Sequence, residues 1–523
     1  MSNGHVFVVQ GRMENLDSDA VIVATDLSFS VGGHWAPTLG LPGAGFDEAV
    51  RALQPDGWRA RRWGRATAAG TAEPPKPTWF MDVAYYFSRS LTEDLDGVMA
   101  RLRLVLAEVK ELRAGQGRSH VLVSMPLLGT GHGGFGPIRG QVIDTQLRVC
   151  REESAALGID IVIIANSTSD YTALQERRRE LGSEDVALTP ELRAAAEQLA
   201  AVARSGDLAL FLGAGVSIGA GLPSWSSLLG NLAEGKDVDL TQLSSTLDRA
   251  ELLRIKYGAD FGSAIAAQVT SQRRYAMTHA ILAALGCRQV VTTNYDRLYE
   301  LAAGDLQANV GVAVLPFDRA QQDRPWVLKM HGDAERPETI VLTRSDFVSY
   351  NATSGPMGSL VQSLMVTRHL LVVGASMTDD NFLRLTHEVL AFREAGSMSP
   401  EDKERPLGTV LPLKPEPAQA ELWSGRFDYV PVSAADDPEE SRARSLTIFL
   451  DHIALLAAGN SHLLDERYEA LLEDREADLV VQARELHDSL TSMTDRPRRW
   501  DPVVELLGSL GARPRPSGGP SDR

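Results

Sequence analysis

The sequence predicts an α/β protein with an N-terminal α/β/α domain, a second Rossmann-like domain on a parallel sheet, and C-terminal helices. Three observations predict it. Short apolar runs alternate with helical spacings from the N-terminus to about residue 435. A second such series opens at LALFL, Leu208–Leu212, directly before a glycine-rich turn. From Ser441 the spacing is helical throughout. At 523 residues the chain exceeds one core, and at about 150 residues per domain it holds two to four. We divide it into residues 1–180, 190–457 and 458–512, with a disordered tail over 513–523.

In the first part, VFVV (Val6–Val9) and AVIVA (Ala20–Ala24) are apolar runs bounded by polar residues, the mark of buried strands. A third strand is expected in WFMDVAYYF, after the breaker-rich EPPKP at Glu73–Pro77. Over Asp94–Leu112, the residues Leu95, Val98, Leu102, Leu106 and Val109 share one helical face. HVLVSMPLLG follows, then a helix near Ile143–Leu157 and a strand over Ile159–Ala165. The charged segment Gln175–Leu192 reads as a linker. Thr189-Pro190-Glu191 then starts a helix, with Thr as cap and Pro in the first turn, running through Glu191–Arg204. Past Ser441, Leu446, Phe449, Leu450, Ile453 and Leu456 form an apolar stripe, and Leu463–Leu490 is a charged helical stretch whose Tyr468, Leu471, Arg475, Leu479 and Leu486 read as a packing surface. RPRPSGGPSDR closes the chain as a Pro/Gly/Ser-rich tail.

Composition narrows the function. Hydrophobic residues make up 44% and charged residues 23%, as in an ordinary folded protein. A formal net charge of −17 argues against general binding to nucleic acid or anionic membranes. Arg496, Arg498 and Arg499 read as a solvated run. Cys150 and Cys287 are far apart and build neither a disulfide framework nor a four-cysteine zinc site, so no metal is expected. The N-terminus lacks a basic start followed by an apolar stretch, and the apolar runs are too short to span a bilayer. A cytoplasmic protein is expected.

The strongest local signal is LALFLGAGVSIGAGLPSW, Leu208–Trp225. A strand runs into Gly213-Ala214-Gly215 and a helix follows, so free N–H groups and a close backbone approach can hold a pyrophosphate. The dehydrogenase fingerprint GxGxxG fits poorly, because position 218 is Ile and no acidic residue closes a second strand about 20 residues on.

The longer string GAGVSxxAGLP closely resembles the opening motif of the sirtuin family. Three segments follow in that family's order: VVTTNYDRL (Val290–Leu298), LKMHGD (Leu328–Asp333) and LVVGASMTDDNF (Leu371–Phe382). Lacking the four-cysteine zinc module, and with Pro223-Ser224-Trp225-Ser226 in place of the family's PDFR, the stretch is most similar to the sirtuin-like domains of bacterial antiphage defence, which hydrolyse NAD. The resemblance implies a substrate, NAD+, and a site. Gly213, Ala214, Gly215 and Ser217 would clamp the diphosphate, and Gly374 and Ser376 would take the adenosine side. Asn294 would place the water or a ribose hydroxyl, with Asp296 supporting the ribose. His331, titrating near neutrality, would be the base. Capping of the helix near Arg297 is the structural alternative for Asn294 and Asp296.

In the first half, DAVIVAT (Asp19–Thr25), GRATAAG (Gly64–Gly70) and PLLGTGHGGF (Pro126–Phe135) resemble a macro domain, a module that binds ADP-ribose. The resemblance implies a regulatory nucleotide held by Asp19, Gly129, Thr130, Gly131, Gly133, Gly134 and Phe135. Thr25-Asp26 stand where the family's asparagines would be, which favours binding without hydrolysis; His132 reads as a rim residue. The joint reading is a signal-activated NAD+ hydrolase, self-toxic in antiviral defence and assembled as a homo-oligomer. Two alternatives stand beside it: a sensor that binds NAD or ADP-ribose without turnover, and a deacylase or ADP-ribosyltransferase.

Overall fold

The computed structural model describes residues 3–67, 74–86, 90–115, 117–182, 188–306, 311–396 and 399–513. Two sheets organise the chain. The first is formed by β1 (Val6–Gln10), β2 (Ala20–Thr25), β3 (Trp63–Arg65), β4 (Thr78–Asp82), β5 (Leu122–Pro126) and β6 (Asp160–Ala165), in the order β1-β6-β5-β2-β4-β3. All its pairings are parallel except β3 with β4. The continuous apolar runs of these strands follow from burial on both faces. One face packs against the helices Leu91–Val109 and Arg139–Leu157 through Val8, Ile22, Met81, Met125 and Ile163. The first of these helices opens on a capping box, with Ser90 and Glu93 exchanging bonds to each other's N–H.

The second sheet is wholly parallel: β7 (Leu208–Leu212), β8 (Gln289–Thr292), β9 (Ala313–Leu315), β10 (Trp326–Lys329), β11 (His369–Val373), β12 (Gly408–Leu411) and β13 (Phe427–Tyr429), ordered β13-β12-β11-β7-β8-β10-β9. The chain leaves the central β7 toward β8 on one side and returns as β11 on the other. That reversal makes a topological switch point at the carboxyl ends of β7, β8 and β11, the place where open α/β sheets hold ligands.

The two sheets share one core. Phe7, Val9, Val21 and Phe80 on the other face of the first sheet belong to the same buried cluster as Leu199 of the helix Pro190–Arg204, Ile281 of Met277–Ala284, and Phe449, Leu450 and Ile453 of Glu439–Ala457. A buried ion cluster lies at this junction: Asp451 accepts from Arg178 (2.6 Å) and sits 2.9 Å from His5 Nε2.

Several sequence expectations change. The supposed linker from Gln175 is helix up to Glu180, because Ser167 caps a helix Thr168–Glu180 whose Leu174 and Arg178 are buried. The end of that segment at 183–187 lies outside the described residues, as do Ala68–Gly70 of the GRATAAG motif and all of the expected tail but Arg513. The last helices are Asp474–Ser492 and Asp501–Ser509. Of the stripe assigned to packing, Tyr468 is buried and donates to Asp170 (2.9 Å), whereas Leu479 and Leu486 are exposed. Among the described residues no helix is long and apolar enough to cross a membrane.

Candidate active site

The switch point of the second sheet is built by close backbone contact. The Gly213 N–H donates to the Val373 carbonyl (3.0 Å), and the Gly215 N–H to the Gly374 carbonyl (2.9 Å). A Cβ on Gly213 would lie 2.5 Å from that Gly374 oxygen, and one on Gly215 would lie 2.7 Å from the Gly374 Cα. Gly374 itself has φ +69°, which side chains rarely adopt. Only glycine therefore lets the β7 and β11 loops press together. The helix after the turn is a single turn, Gly215–Ile218, and Trp225–Ala233 follows after the break at Gly221-Leu222-Pro223.

Ser217 sits at the centre of this site. Its hydroxyl donates to Asp296 Oδ2 (2.9 Å) and accepts from His279 Nε2 (3.2 Å) and Asn294 Nδ2 (3.3 Å). The polarity is fixed from outside, because His279 Nδ1 accepts the Ala276 N–H (3.2 Å), so the proton is on Nε2. Burial pushes His279 down to about 4, against the pull of the Asp296 carboxylate, and keeps it neutral. Asn294 Nδ2 also donates to the Gly213 carbonyl (3.1 Å). The amide is thereby oriented with its nitrogen against the glycine loop, and its buried Oδ1 has no hydrogen-bond partner among the described residues. An acceptor held this way suits a ribose hydroxyl or a water.

Asp296 also caps the helix Leu298–Leu306, its Oδ1 accepting from the Leu298 N–H (3.0 Å). The capping role and the site role coexist on its two oxygens. Lys329, wholly buried at the end of β10, donates to the Asp296 carbonyl and pairs with Glu300 (3.0 Å).

His331 follows β10, whose Lys329 pairs in register with Thr292 of β8; the residues that follow these strands, Asn294 and His331, thus lie at adjacent strand ends. The expectation of an imidazole titrating near neutrality is corrected. His331 is wholly buried among Trp225, Phe347 and Tyr350, and burial pushes its pKa down while the Asp379 carboxylate, 3.3 Å from Nε2, opposes that shift. Ser376 is exposed, with its hydroxyl 2.7 Å from that of Thr378.

In the first domain the structure gathers Gly129, Thr130, Gly131, Gly133, Gly134 and Phe135 into one loop past β5. The Phe135 N–H closes it on the Gly129 carbonyl (3.1 Å), and the Tyr85 N–H binds the Gly133 carbonyl (2.8 Å). A Cβ on Gly133 would lie 2.6 Å from the Gly129 Cα and 2.7 Å from the Val83 carbonyl oxygen. The loop past β2 faces it: the His34 and His132 rings stack at 6.4 Å, and the buried Thr25 Oγ1 has no hydrogen-bond partner among the described residues. Asp19 is not brought to this loop. It precedes β2, at the opposite end of the sheet, where it accepts from Arg118 (2.6 Å) and from the Gly115 and Leu122 N–H groups. Its carboxylate is consumed by structure.

Sequence reasoning missed His279, Lys329 and Asp379, and also a strap between the domains. Leu16 bridges Tyr275 in parallel, with the Tyr275 N–H donating to the Asn15 carbonyl (2.8 Å) and the Asp17 N–H to the Tyr275 carbonyl (2.8 Å). Tyr275 immediately precedes Ala276, whose N–H holds His279. A lone histidine in the apolar helix MTHAILAA was the sole sequence hint.

Residues 288–424 match the SIR2-like domain family. The chain is similar to the NAD(+) hydrolase ThsA of Bacillus cereus (strain MSX-D12), 31% identical over 181 residues, which cover 34% of this chain and 38% of that protein. ThsA of Acinetobacter baumannii (strain 532279) is 28% identical, covering 34% and 37%. Defense-associated sirtuin 2 of Bacillus subtilis is 25% identical, covering 36% and 19%. The matched stretch thus spans less than half the length of each of these relatives. Among solved structures, the macrodomain of Mycobacterium tuberculosis DarG matches at 15% identity and a TM-score of 0.23, over 31% of this chain and 97% of that one. The Oceanobacillus iheyensis macrodomain matches at 16% identity and a TM-score of 0.26, over 34% and 93%.

Proposed function

We propose that this chain hydrolyses NAD+ at the nicotinamide–ribose bond, in antiviral defence by NAD depletion, under the control of an ADP-ribose-like nucleotide bound by its first domain. The observation that carries the reading is the buried Asn294 amide, locked by Gly213 and Ser217 with its oxygen left to accept, beside a loop where only glycines fit. The ThsA relatives bear NAD(+) hydrolase in their names, and their similarity to this chain supports the same activity here.

Cleavage breaks the C1′–N bond, and the electron pair leaves with neutral nicotinamide. The ribosyl cation takes up water, which loses a proton to give ADP-ribose. A neutral leaving group needs no strong acid; positioning and a base near the sugar are what the protein supplies. The Gly213-Ala214-Gly215 turn would let the diphosphate approach the backbone closely, with the Gly213 and Gly215 N–H groups themselves bonded to the β11 loop, and Gly374 and Ser376 would take the adenosine side. Ser217 and Asp296 hold Asn294, which places the water or ribose hydroxyl, and His331 takes the proton.

The burial of His331 supports low basal turnover, and the Leu16–Tyr275 strap gives the first domain a physical hold on His279 and thereby on Ser217. The signal must bind the active arrangement more tightly than the resting one. The enzyme works in the cytoplasm as a homo-oligomer. The test is incubation of the purified full chain with NAD+, with and without a panel of cyclic and modified ADP-ribose nucleotides, following nicotinamide and ADP-ribose by chromatography. Turnover that rises with one of the nucleotides and vanishes in Asn294→Ala is expected. Binding of NAD+ with no nicotinamide release under any condition would replace this reading with a non-catalytic sensor.

A further inference from the structure

Asp379 lies in the connection from β11 to the helix Asp380–Ala395, and the sequence motifs assign it nothing. Its two oxygens have different tasks. Oδ1 accepts the Phe382 N–H (2.9 Å) and caps that helix; Oδ2 faces His331 Nε2 at 3.3 Å. The cap fixes the carboxylate independently of the imidazole.

The imidazole has no comparable anchor. Neither ring nitrogen has a hydrogen-bond partner among the described residues, and the ring is walled by Trp225, Phe347 and Tyr350 at centroid distances of 6.3, 5.2 and 6.2 Å. The phenol of Tyr350 donates to the Met330 carbonyl (3.1 Å) and that of nearby Tyr295 to the Val341 carbonyl (2.9 Å). Other charged groups on the surrounding elements are engaged elsewhere: Asp333 with the Glu335 N–H, Asp346 with the Thr343 N–H, Arg384 with Glu388. In so apolar a cage one carboxylate decides where the proton of a neutral imidazole resides.

We propose that Asp379 is a positioning residue for His331, holding the imidazole proton on Nε2 and leaving Nδ1 as the basic atom. The inference rests on the NAD-hydrolysis reading. At 3.3 Å the contact lacks hydrogen-bond alignment, and catalytic pairs are often long or poorly aligned until substrate is bound. The carboxylate also opposes the burial that makes His331 a weak base.

The test uses the full chain with Asp379→Asn and Asp379→Ser. Both replacements cap a helix, so a purely structural role is preserved and both variants should melt with the wild type. Both lose the charge. Loss of about 10- to 100-fold in kcat is expected with KM within about threefold, less than the ~10⁴ seen when a fully buried triad aspartate is replaced. The acid limb of the pH–rate profile should move to lower pH, because removing the carboxylate lowers the proton affinity of a base that works deprotonated. An unmoved acid limb and unchanged kcat would overturn the proposal. Selective ¹⁵N-histidine NMR, with His331 assigned by its loss in His331→Gln, reads the tautomer without turnover. Nε2–H is expected in the wild type and a mixture in Asp379→Asn; a wild-type Nδ1–H tautomer, or one indifferent to the substitution, refutes the positioning role. Absence of nicotinamide release from the wild type would instead count against NAD hydrolysis, while the tautomer still decides the role of Asp379.

Discussion

Replacing Ser217 by alanine should damage stability and turnover together. A serine hydroxyl has one donor and two acceptor sites, and in Ser217 all three are used, toward Asp296, His279 and Asn294. In Ser217→Ala the His279 Nε2–H loses its bond inside a helix that is wholly buried at that point, at a cost of about 1–3 kcal/mol. Asp296 Oδ2 loses a bond to a charged acceptor, about 1.5–3 kcal/mol more. Together these amount to about 2.5–6 kcal/mol. Asn294 keeps the Gly213 carbonyl but loses its second anchor, so its oxygen is no longer aimed; misplacement on that scale lowers kcat by about 100-fold. Urea unfolding followed by fluorescence gives the first quantity and nicotinamide release the second. Ser376→Ala is the control, because that side chain is exposed and, among the described residues, bonded to Thr378; stability should hold within about 0.5 kcal/mol while KM for NAD+ rises. If Ser217→Ala unfolds within about 1 kcal/mol of the wild type and turns over at its rate, the hydroxyl is not the hub of the site.

Asp451→Asn leaves the buried Arg178 guanidinium without its counter-charge and should destabilise the junction of the two domains by about 3–5 kcal/mol, measured by urea unfolding. Burial pushes the Asp451 carboxyl up, but Arg178 and His5 outweigh it and hold the group below its ordinary value. The stability it contributes is therefore fully present above about pH 4 and lost as pH falls through the lower folded-state value, so the variant should show a flatter acid side; an unchanged acid side speaks against this assignment. In the first domain, Gly133→Ala drives a methyl into the Gly129 backbone and should abolish the heat of ADP-ribose binding in calorimetry, with the circular dichroism spectrum preserved; undiminished binding would remove the loop from the nucleotide site.

Much of this protein was legible in one dimension. The apolar runs over Val6–Val9, Ala20–Ala24 and Leu208–Leu212 are strands because strands buried on both faces need no alternation. Thr189 caps the helix that its sequence predicts, accepting the Leu192 N–H (3.3 Å). The charged segment beyond Gln175 misled, because Arg178 satisfies its charge on Asp451, 273 residues away, and charge density alone does not distinguish a solvated linker from a helix with distant partners. Asp19 misled similarly: it borders the right strand, but at the end away from the glycine loop.

By itself, the sequence determined where backbone must come close. Gly374 is demanded by its positive φ, a local property, and the glycines of the Gly213-Ala214-Gly215 turn mark a close approach whose partner, the Gly374 loop, comes from far along the chain. Only the tertiary structure decided what each buried polar group meets. His279, Asp379 and the Leu16–Tyr275 strap acquire roles from elements far away in the chain, and a hydrogen bond between distant segments leaves no period or spacing in the sequence to read.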